Sequence, residues 1–130
     1  MAKEVIKNAK GQPFSKWKPA EKFAYVLAKE ASDVAEFCSR EVLFDSRRQW
    51  RFDFAWEPVR VAVEIQGFGF GHQAQQHMAA DNEKANAALE QGWRVFRFDS
   101  RLLGSRKGVS DAVAQVVEFI CKAEPCETES

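Results

Sequence analysis

Two carboxylates and an amide, those of Asp53, Glu64 and Gln66, lie within two segments that are rich in apolar residues. Residues 50–56 and 60–66 both alternate between two sets of side chains, which is the pattern of a β-strand. A short turn between the segments makes an antiparallel hairpin, in which directly opposed residues share a face of the sheet. The alternation therefore predicts that the two carboxylates and the amide lie together on one face.

The other face of the hairpin is predicted to be apolar, because its positions hold only aromatic and branched side chains: Trp50, Phe52, Phe54, Trp56, Val61, Val63 and Ile65. A slip of one residue would bury the charges and expose the tryptophans, so the register is strongly specified. The turn falls at Glu57-Pro58, and Arg51 and Arg60 are expected near the acids.

Carboxylates that share a sheet face repel each other, and a bound divalent cation reverses that repulsion. Mg²⁺ is commonly held by one or two carboxylates together with waters and phosphate oxygens, and it makes a bound water nucleophilic near neutral pH. Asp53 and Glu64 would be the side-chain ligands of Mg²⁺ or Mn²⁺, with the backbone carbonyl of Ile65 as a third oxygen. The alternative is that the acids only form ion pairs with nearby basic residues: Arg51, Arg60 or Lys84.

The segments before the hairpin predict a helix and a strand. Pro19 can open a helix because its missing N–H costs nothing at that position, and the apolar arc of residues 20–31 continues it. Residues 36–44 are ambiguous, but Val42 and Phe44 suggest a strand that pairs with the first arm of the hairpin.

The segments after the hairpin predict a helix, a strand and a second helix. The first, alanine-rich helix would run from about Met78 or Asp81 to Gln91, with Gly92 as the C′ residue that stops it. The strand 93–98 is apolar on both faces, which predicts a central position, and the crossover makes it parallel to the second arm. The last helix covers about residues 110–121. The fold class is therefore α/β, with a mixed sheet of an antiparallel hairpin plus a parallel crossover strand, flanked by helices on both faces.

Length and composition indicate one globular domain, since the 130 residues are 45% hydrophobic and 29% charged. We divide the chain into a basic N-terminal arm (1–18), a single domain (19–122) and an acidic flexible tail (123–130). The formal net charge is zero, but residues 1–60 carry +3 and residues 61–130 carry −3. The arm could contact phosphate, or it could be a solvated tail.

Cysteine usage and hydropathy predict a cytoplasmic protein. The three cysteines are scattered and form no CxxC pair, which fits a reducing compartment and argues against a zinc site. No signal peptide is visible, and no apolar run approaches the ~18 residues of a membrane span. The glycine loop of residues 67–71 lacks the pattern of a phosphate-binding loop, so no nucleotide cofactor is expected.

The order of three segments resembles the PD-(D/E)XK nuclease superfamily: RRQWRFDFAW, then VAVEIQG followed by a His, then DNEKANAALEQGWRVFRF. The likeness is to the small branch related to very-short-patch-repair endonucleases and compact phage and bacterial homologues, and it covers about residues 21–98. It implies a restriction-endonuclease-like fold and a Mg²⁺-dependent endonuclease that hydrolyses phosphodiester bonds in DNA. The settings it implies are DNA repair, recombination or phage DNA processing.

The resemblance also implies roles for individual residues. Asp53 would be the metal-ligating Asp, Glu64 the second acid, and Glu21 the acid on the first helix that completes the site in many members. Gln66 stands where the superfamily usually has Lys. Glutamine can hydrogen-bond the attacking water but has no charge, so either the metal does more of the activation or Lys84 reaches in from its helix. For Glu21 the alternative is an exposed acid favoured by the helix dipole.

Basic and imidazole side chains around the hairpin and in the arm are the candidate DNA contacts: Arg48, Arg51, His72, Lys16 and Lys18. His72 follows the glycine loop and could contact phosphate or act as a general base, although a lone loop histidine more often does neither. Trp17 is the one aromatic residue placed like a nucleic-acid contact.

Two other functions stay open at this level. Gln66 and the neutral net charge also fit a nuclease fold that has lost catalysis and serves as a DNA- or protein-binding module. The third function is an unrelated α/β binding protein whose hairpin acids are only ion-paired. The sequence leaves the oligomeric state open, although two copies, as in a homodimer, would be needed to cut both strands in one encounter.

Overall fold

The computed structural model describes the backbone of residues 6–67 and 73–123, and the side chains of residues 6–67 and 82–123. Within these ranges a four-stranded open sheet has the strand order β1-β2-β3-β4. The strands are β1 (Ser39–Asp45), β2 (Trp50–Trp56), β3 (Val61–Gln66) and β4 (Arg94–Asp99). The pairs β1–β2 and β2–β3 are antiparallel, and β4 runs parallel to β3. The expected mixed sheet is therefore confirmed.

Four helices in these parts of the chain accompany the sheet: α1 (Pro19–Glu30), α2 (Ser32–Glu36), α3 (Gln73–Glu90) and α4 (Arg106–Lys122). α3 begins at residue 73, earlier than the expected Met78 or Asp81. It is followed by Gly92, whose φ of 85° is a left-handed conformation that glycine adopts without strain. No helix of the described residues is long and apolar enough to cross a membrane.

α4 begins four residues earlier than expected, because its first turn is capped. The Oγ of Ser105 accepts a hydrogen bond from the backbone N–H of Gly108 at 3.0 Å, which satisfies a donor that the helix itself cannot pair. Gly108 lies inside the helix, where a Cβ would come within 1.9 Å of the Leu102 carbonyl oxygen. Glycine therefore permits the close approach of α4 to the turn before it.

The larger core lies between one face of the sheet and the helices α1 and α4. Phe23, Val26 and Val113 are almost fully buried there against strand residues of the first apolar face: Phe54, Trp56, Val61 and Val63. Burial of each such side chain contributes roughly 1.5–3 kcal/mol to folding. This half of the hairpin alternation is as expected.

A second, smaller core lies on the opposite face, where α3 packs. Ala88 of α3 and Trp93 contact Ala55 and Ala62 of the hairpin. Small residues on both elements let the helix approach the sheet closely. Helices therefore cover both faces of the sheet.

The expectation that Phe52 shares a face with Phe54 is wrong. Phe52 packs in the second core, with its ring 4.9 Å from that of Trp93. The partner strand turns over at the same level, since Arg40 stacks on Phe54 at 4.8 Å whereas Val42 packs beside Phe52. The intervening residue of β1, Glu41, has a φ of 54°, which is unusual for a residue within a strand. Strict alternation therefore ends at the level of Glu41 and its counterpart Asp53.

The expectation that β4 is a central strand is also wrong. β4 pairs only with β3 among the described strands and forms an edge of the sheet. It has apolar residues on both faces because each face carries a helix: Val95 packs in the α3 core, and the Phe96 ring lies 5.3 Å from that of Phe119 on α4. Coverage by helices, not a central place in the sheet, explains its composition.

Candidate active site

The candidate site lies where the ladder between β2 and β3 ends. The paired residues are Trp56 with Val61, Ala55 with Ala62, and Phe54 with Val63. The next two residues, Asp53 and Glu64, would oppose each other if the register continued. They are the two acids that the sequence singles out, and the hairpin turn brings them to the same level of the sheet.

The side chain of Asp53, not a backbone carbonyl of β2, is the hydrogen-bond partner of β3 at this level of the sheet. Its Oδ2 accepts a hydrogen bond from the backbone N–H of Ile65 at 2.7 Å. The neighbouring residue faces the other way, since the carbonyl of Gln66 accepts from Ser100 beyond β4. Both backbone groups of a strand residue point to the same side, so the Ile65 carbonyl also faces β2. The Asp53 carboxylate and the Ile65 carbonyl are therefore directed to the same gap.

Glu64 is the centre of a charged cluster on the α3 face. The Nζ of Lys84, on α3, forms a hydrogen-bonded ion pair with Oε1, and Nη2 of Arg97, on β4, lies 3.7 Å from Oε2. The side chain of Glu64 is 14% exposed and that of Lys84 is 18% exposed. Partial burial makes such a pair stronger than one in open solvent. The structure therefore brings Lys84 to the site, while Arg51 and Arg60 lie elsewhere.

Those two arginines make other contacts. The guanidinium of Arg51 donates to the Glu41 carbonyl at 3.2 Å, and the guanidinium of Arg60 lies 5.1 Å from the centre of the Trp93 ring. Of the three basic partners that the ion-pair alternative offered, the structure places only Lys84 beside an acid of the hairpin.

Gln66 is the last residue of β3, and polar side chains of β4 and the turn after it lie at the same end of the sheet. Gln66 is in register with Asp99, whose carboxylate accepts three hydrogen bonds from Arg101: the backbone N–H at 2.8 Å, Nε at 3.1 Å and Nη2 at 2.8 Å. The side-chain hydrogen bonds from Arg101 lower the pKa of Asp99 to about 2. Ligands of open α/β sheets commonly bind at this end of the strands, where the Asp99 carboxylate stays ionised and paired with the Arg101 guanidinium.

The donor set suits a hard divalent cation. Two carboxylates, Asp53 and Glu64, and the carbonyl of Ile65 offer only oxygen, which Mg²⁺ and Mn²⁺ prefer. The residues described here contain no cluster of three or more His, Cys, Asp or Glu side chains that could hold a metal. A cation at this place would thus depend on water and substrate oxygens for the rest of its coordination shell.

The remaining predicted site residues lie apart from this cluster. Glu21 is exposed in the first turn of α1, which packs on the face of the sheet opposite α3. Arg48 lies near the tip of the β1–β2 hairpin, where its guanidinium carbon is 4.9 Å from the centre of the Trp50 ring. Lys16 and Lys18 are exposed beside α1. His72 lies outside the described residues.

Sequence reasoning missed Arg97. Arg97 could have been found, because side chains of residues 94–99 alternate between the two faces of the sheet and the parallel register places Arg97 beside Glu64. Interpreting the strand as apolar on both faces hid a charged side chain that shares the α3 face with the acid.

A hollow of about 260 Å³ lies on the other side of β4, lined by Phe96, Gln115, Glu118, Phe119 and Lys122. It opens between β4 and α4, so it does not contain the Glu64 cluster.

No family model, curated protein or solved structure matches the chain at a significant level.

Proposed function

We propose that this chain is a metal-dependent endonuclease that hydrolyses phosphodiester bonds of DNA, with a restriction-endonuclease-like fold. The observation that carries the proposal is the end of the β2–β3 ladder at Asp53 and Glu64, with the Ile65 backbone facing the same gap. The order of three antiparallel strands, a helix and a parallel fourth strand supports the fold. The residues of the gap offer oxygen ligands, and the adjacent Lys84 offers a cation.

In this proposal Asp53, Glu64 and the Ile65 carbonyl would hold Mg²⁺ or Mn²⁺. The bound ion would supply Lewis acidity toward the phosphate and lower the pKa of a water. Gln66 orients the attacking water through its amide, which can donate and accept hydrogen bonds. Lys84 exchanges part of its contact with Glu64 for the scissile phosphate, since a lysine ammonium has three donors on a flexible stem.

The direct test is cleavage of supercoiled plasmid and branched DNA with Mg²⁺ or Mn²⁺. Several kcal/mol of lost transition-state stabilisation corresponds to a rate loss of at least about 100-fold, which we expect for both Asp53→Ala and Glu64→Ala. The matched control is Asp111→Ala, which removes an exposed carboxylate paired with Lys107 on α4. Undiminished cleavage by the two site variants would rule out the proposal.

A second candidate function is a DNA- or protein-binding module on the same fold, without hydrolysis. The observation that favours it is that Glu64 already has Lys84 and Arg97 beside its two oxygens, and Asp53 already has the Ile65 N–H. Titration calorimetry with Mn²⁺ separates the two candidates. The module predicts no binding isotherm together with intact DNA binding, whereas an isotherm abolished by Asp53→Asn supports the endonuclease.

A further inference from the structure

A basic, aromatic surface lies along the outer side of α1, and we call it the α1 surface. It consists of Trp17, Tyr25, Lys16, Lys18, Lys29 and Arg106, with Phe14 beneath it. α1 and α4 cover the face of the sheet opposite α3, so the sheet separates this surface from the Glu64 cluster.

The rings of the α1 surface hold each other in place. The ring centre of Trp17 lies 5.0 Å from that of Phe14 and 5.3 Å from that of Tyr25, the latter at an interplanar angle of 86°. The indole N–H of Trp17 donates to the carbonyl of Gln12 at 2.8 Å. All three rings are only partly buried. A preorganised ring at the surface can stack on a base without first losing conformational freedom.

Cations surround these rings. On α1, Tyr25 and Lys29 lie four residues apart and share a helix face, and Lys18 precedes the helix as its N-cap residue. Nζ of Lys29 lies 5.9 Å from the centre of the Tyr25 ring, and the guanidinium carbon of Arg106 lies 6.0 Å from it. Arg106 also lies 5.5 Å from the centre of the Phe14 ring.

The cations of this surface outnumber the acids of α1, which are Glu21 and Glu30. Residues 6–18 contain four lysines and no acid. Within the described residues, Lys16, Lys18 and Lys29 form no ion pair, whereas Lys107 and Lys122 on α4 pair with acids at 2.8 and 3.0 Å. Glu30 accepts a hydrogen bond from the hydroxyl of Ser110 at 2.9 Å and forms no ion pair with these lysines. Lysines without an ion-pair partner among the described residues, next to partly exposed rings, are complementary to a chain of phosphates and bases.

We propose that the α1 surface binds a single strand of DNA. Bases stack on Trp17 and Tyr25, while Lys16, Lys18 and Lys29 contact phosphates. Stacking on aromatic rings tolerates any base but needs unpaired bases, because a duplex hides their faces. The choice of DNA rests on the proposed function, but the site is separate from the acids of the hairpin. It would hold an unpaired strand away from the acids.

Fluorescence anisotropy of a labelled oligothymidine, measured in EDTA, tests this surface without hydrolysis. Each lysine–phosphate contact adds about 0.7 to the slope of log K against log salt concentration for single strands. Lys18→Gln/Lys29→Gln should therefore reduce the slope by about 1.4 and weaken binding at low salt. Lys107→Gln/Lys122→Gln removes the same charge from α4 and should leave the slope unchanged.

Trp17→Ala should weaken binding about tenfold, as expected for the loss of one stacked base. Trp17→Phe retains a ring and should keep most of the affinity, which guards against a folding defect in the alanine variant. Equal affinity for a duplex or for heparin would overturn the single-strand assignment, and an unchanged slope in Lys18→Gln/Lys29→Gln would overturn the surface itself. Asp53→Ala/Glu64→Ala should bind normally, so failure to cleave DNA and failure to bind at the α1 surface are separate results.

Discussion

Lys84 of α3 and Glu64 of β3 form a direct ion pair that joins the helix to the strand carrying the second candidate ligand. Arg97 approaches the other carboxylate oxygen at 3.7 Å. A divalent ion bound by Glu64 must share that carboxylate with two cations. Lys84 is therefore the residue whose substitution best separates a metal site from a structural ion pair.

We predict that Lys84→Met raises the affinity for Mn²⁺ and lowers the stability of the metal-free protein. Loss of one competing cation leaves Glu64 more available to the metal. The pair is partly buried, so its loss should lower the free energy of unfolding by about 1–2 kcal/mol, between the values for exposed and buried pairs. Calorimetry and urea denaturation measure the two effects.

The control for Lys84→Met is Lys122→Met, which breaks an exposed pair with Glu118. That pair should be worth at most about 0.5 kcal/mol, with no effect on Mn²⁺. If neither the wild-type protein nor Lys84→Met binds Mn²⁺, the Lys84–Glu64 pair is structural. That result would support the binding-module function over the endonuclease.

Asp53 is predicted to have a structural role that can be separated from metal binding. Its bond to the Ile65 N–H is charge-assisted and should contribute about 1.5–3 kcal/mol. Asp53→Ala leaves that N–H without its partner, whereas Asp53→Asn retains an acceptor oxygen. We therefore expect a clearly larger loss of unfolding free energy for the alanine variant, while both variants lose Mn²⁺ binding. Equal stabilities of the two variants in urea would contradict this role of the bond.

The hairpin shows which part of a site can be predicted from alternation. The pattern correctly placed Phe54 and Val63 on one face and Ala55 and Ala62 on the other, because both faces are covered and a slip would be costly. It failed at Phe52. The change of face in β2 occurs opposite Glu41 of the partner strand, whose φ is positive, and nothing in the sequence of β2 indicates that conformation.

Sheet position and side-chain pairing were predictable only in part. The parallel pairing of β4 with β3 follows from the order of strand, helix and strand. The position of β4 at the edge of the sheet could not be predicted, because a strand covered by α3 and α4 has the same composition as a central strand. The pairing of Lys84 was one of several open options, since the choice among basic partners depends on how α3 packs.

Gly108→Ala is predicted to destabilise α4, because its Cβ would lie 1.9 Å from a backbone oxygen that cannot move aside cheaply. Overpacking of this kind costs about 1–3 kcal/mol or more. Gly104 is the matched control, since a Cβ there would meet nothing within 4 Å and its φ is not positive. Thermal unfolding should show a clear fall in Tm for Gly108→Ala and little change for Gly104→Ala. Equal Tm values for the two variants would show that α4 can shift away from the preceding turn.

Cys38 is predicted to be an unreactive thiol at neutral pH. Burial raises its pKa from 9.0 to about 11, and the opposing effects of the Ala55 backbone and the Arg40 charge are smaller. The thiolate is the reactive form. At pH 8 its population should be about 100-fold lower than for a thiol with the unshifted pKa, because each pKa unit is a factor of ten.

A protein with Cys121→Ser and Cys126→Ser isolates Cys38 for this measurement. Its reaction with a disulfide reagent should accelerate until the pH approaches 11, whereas in denaturant the acceleration should level off near pH 9. The native state holds this proton more tightly than the unfolded state. The stabilisation is therefore fully present below pH 9 and is lost as the pH rises toward 11. A native reaction rate that levels off by pH 9 would show that the thiol is not desolvated.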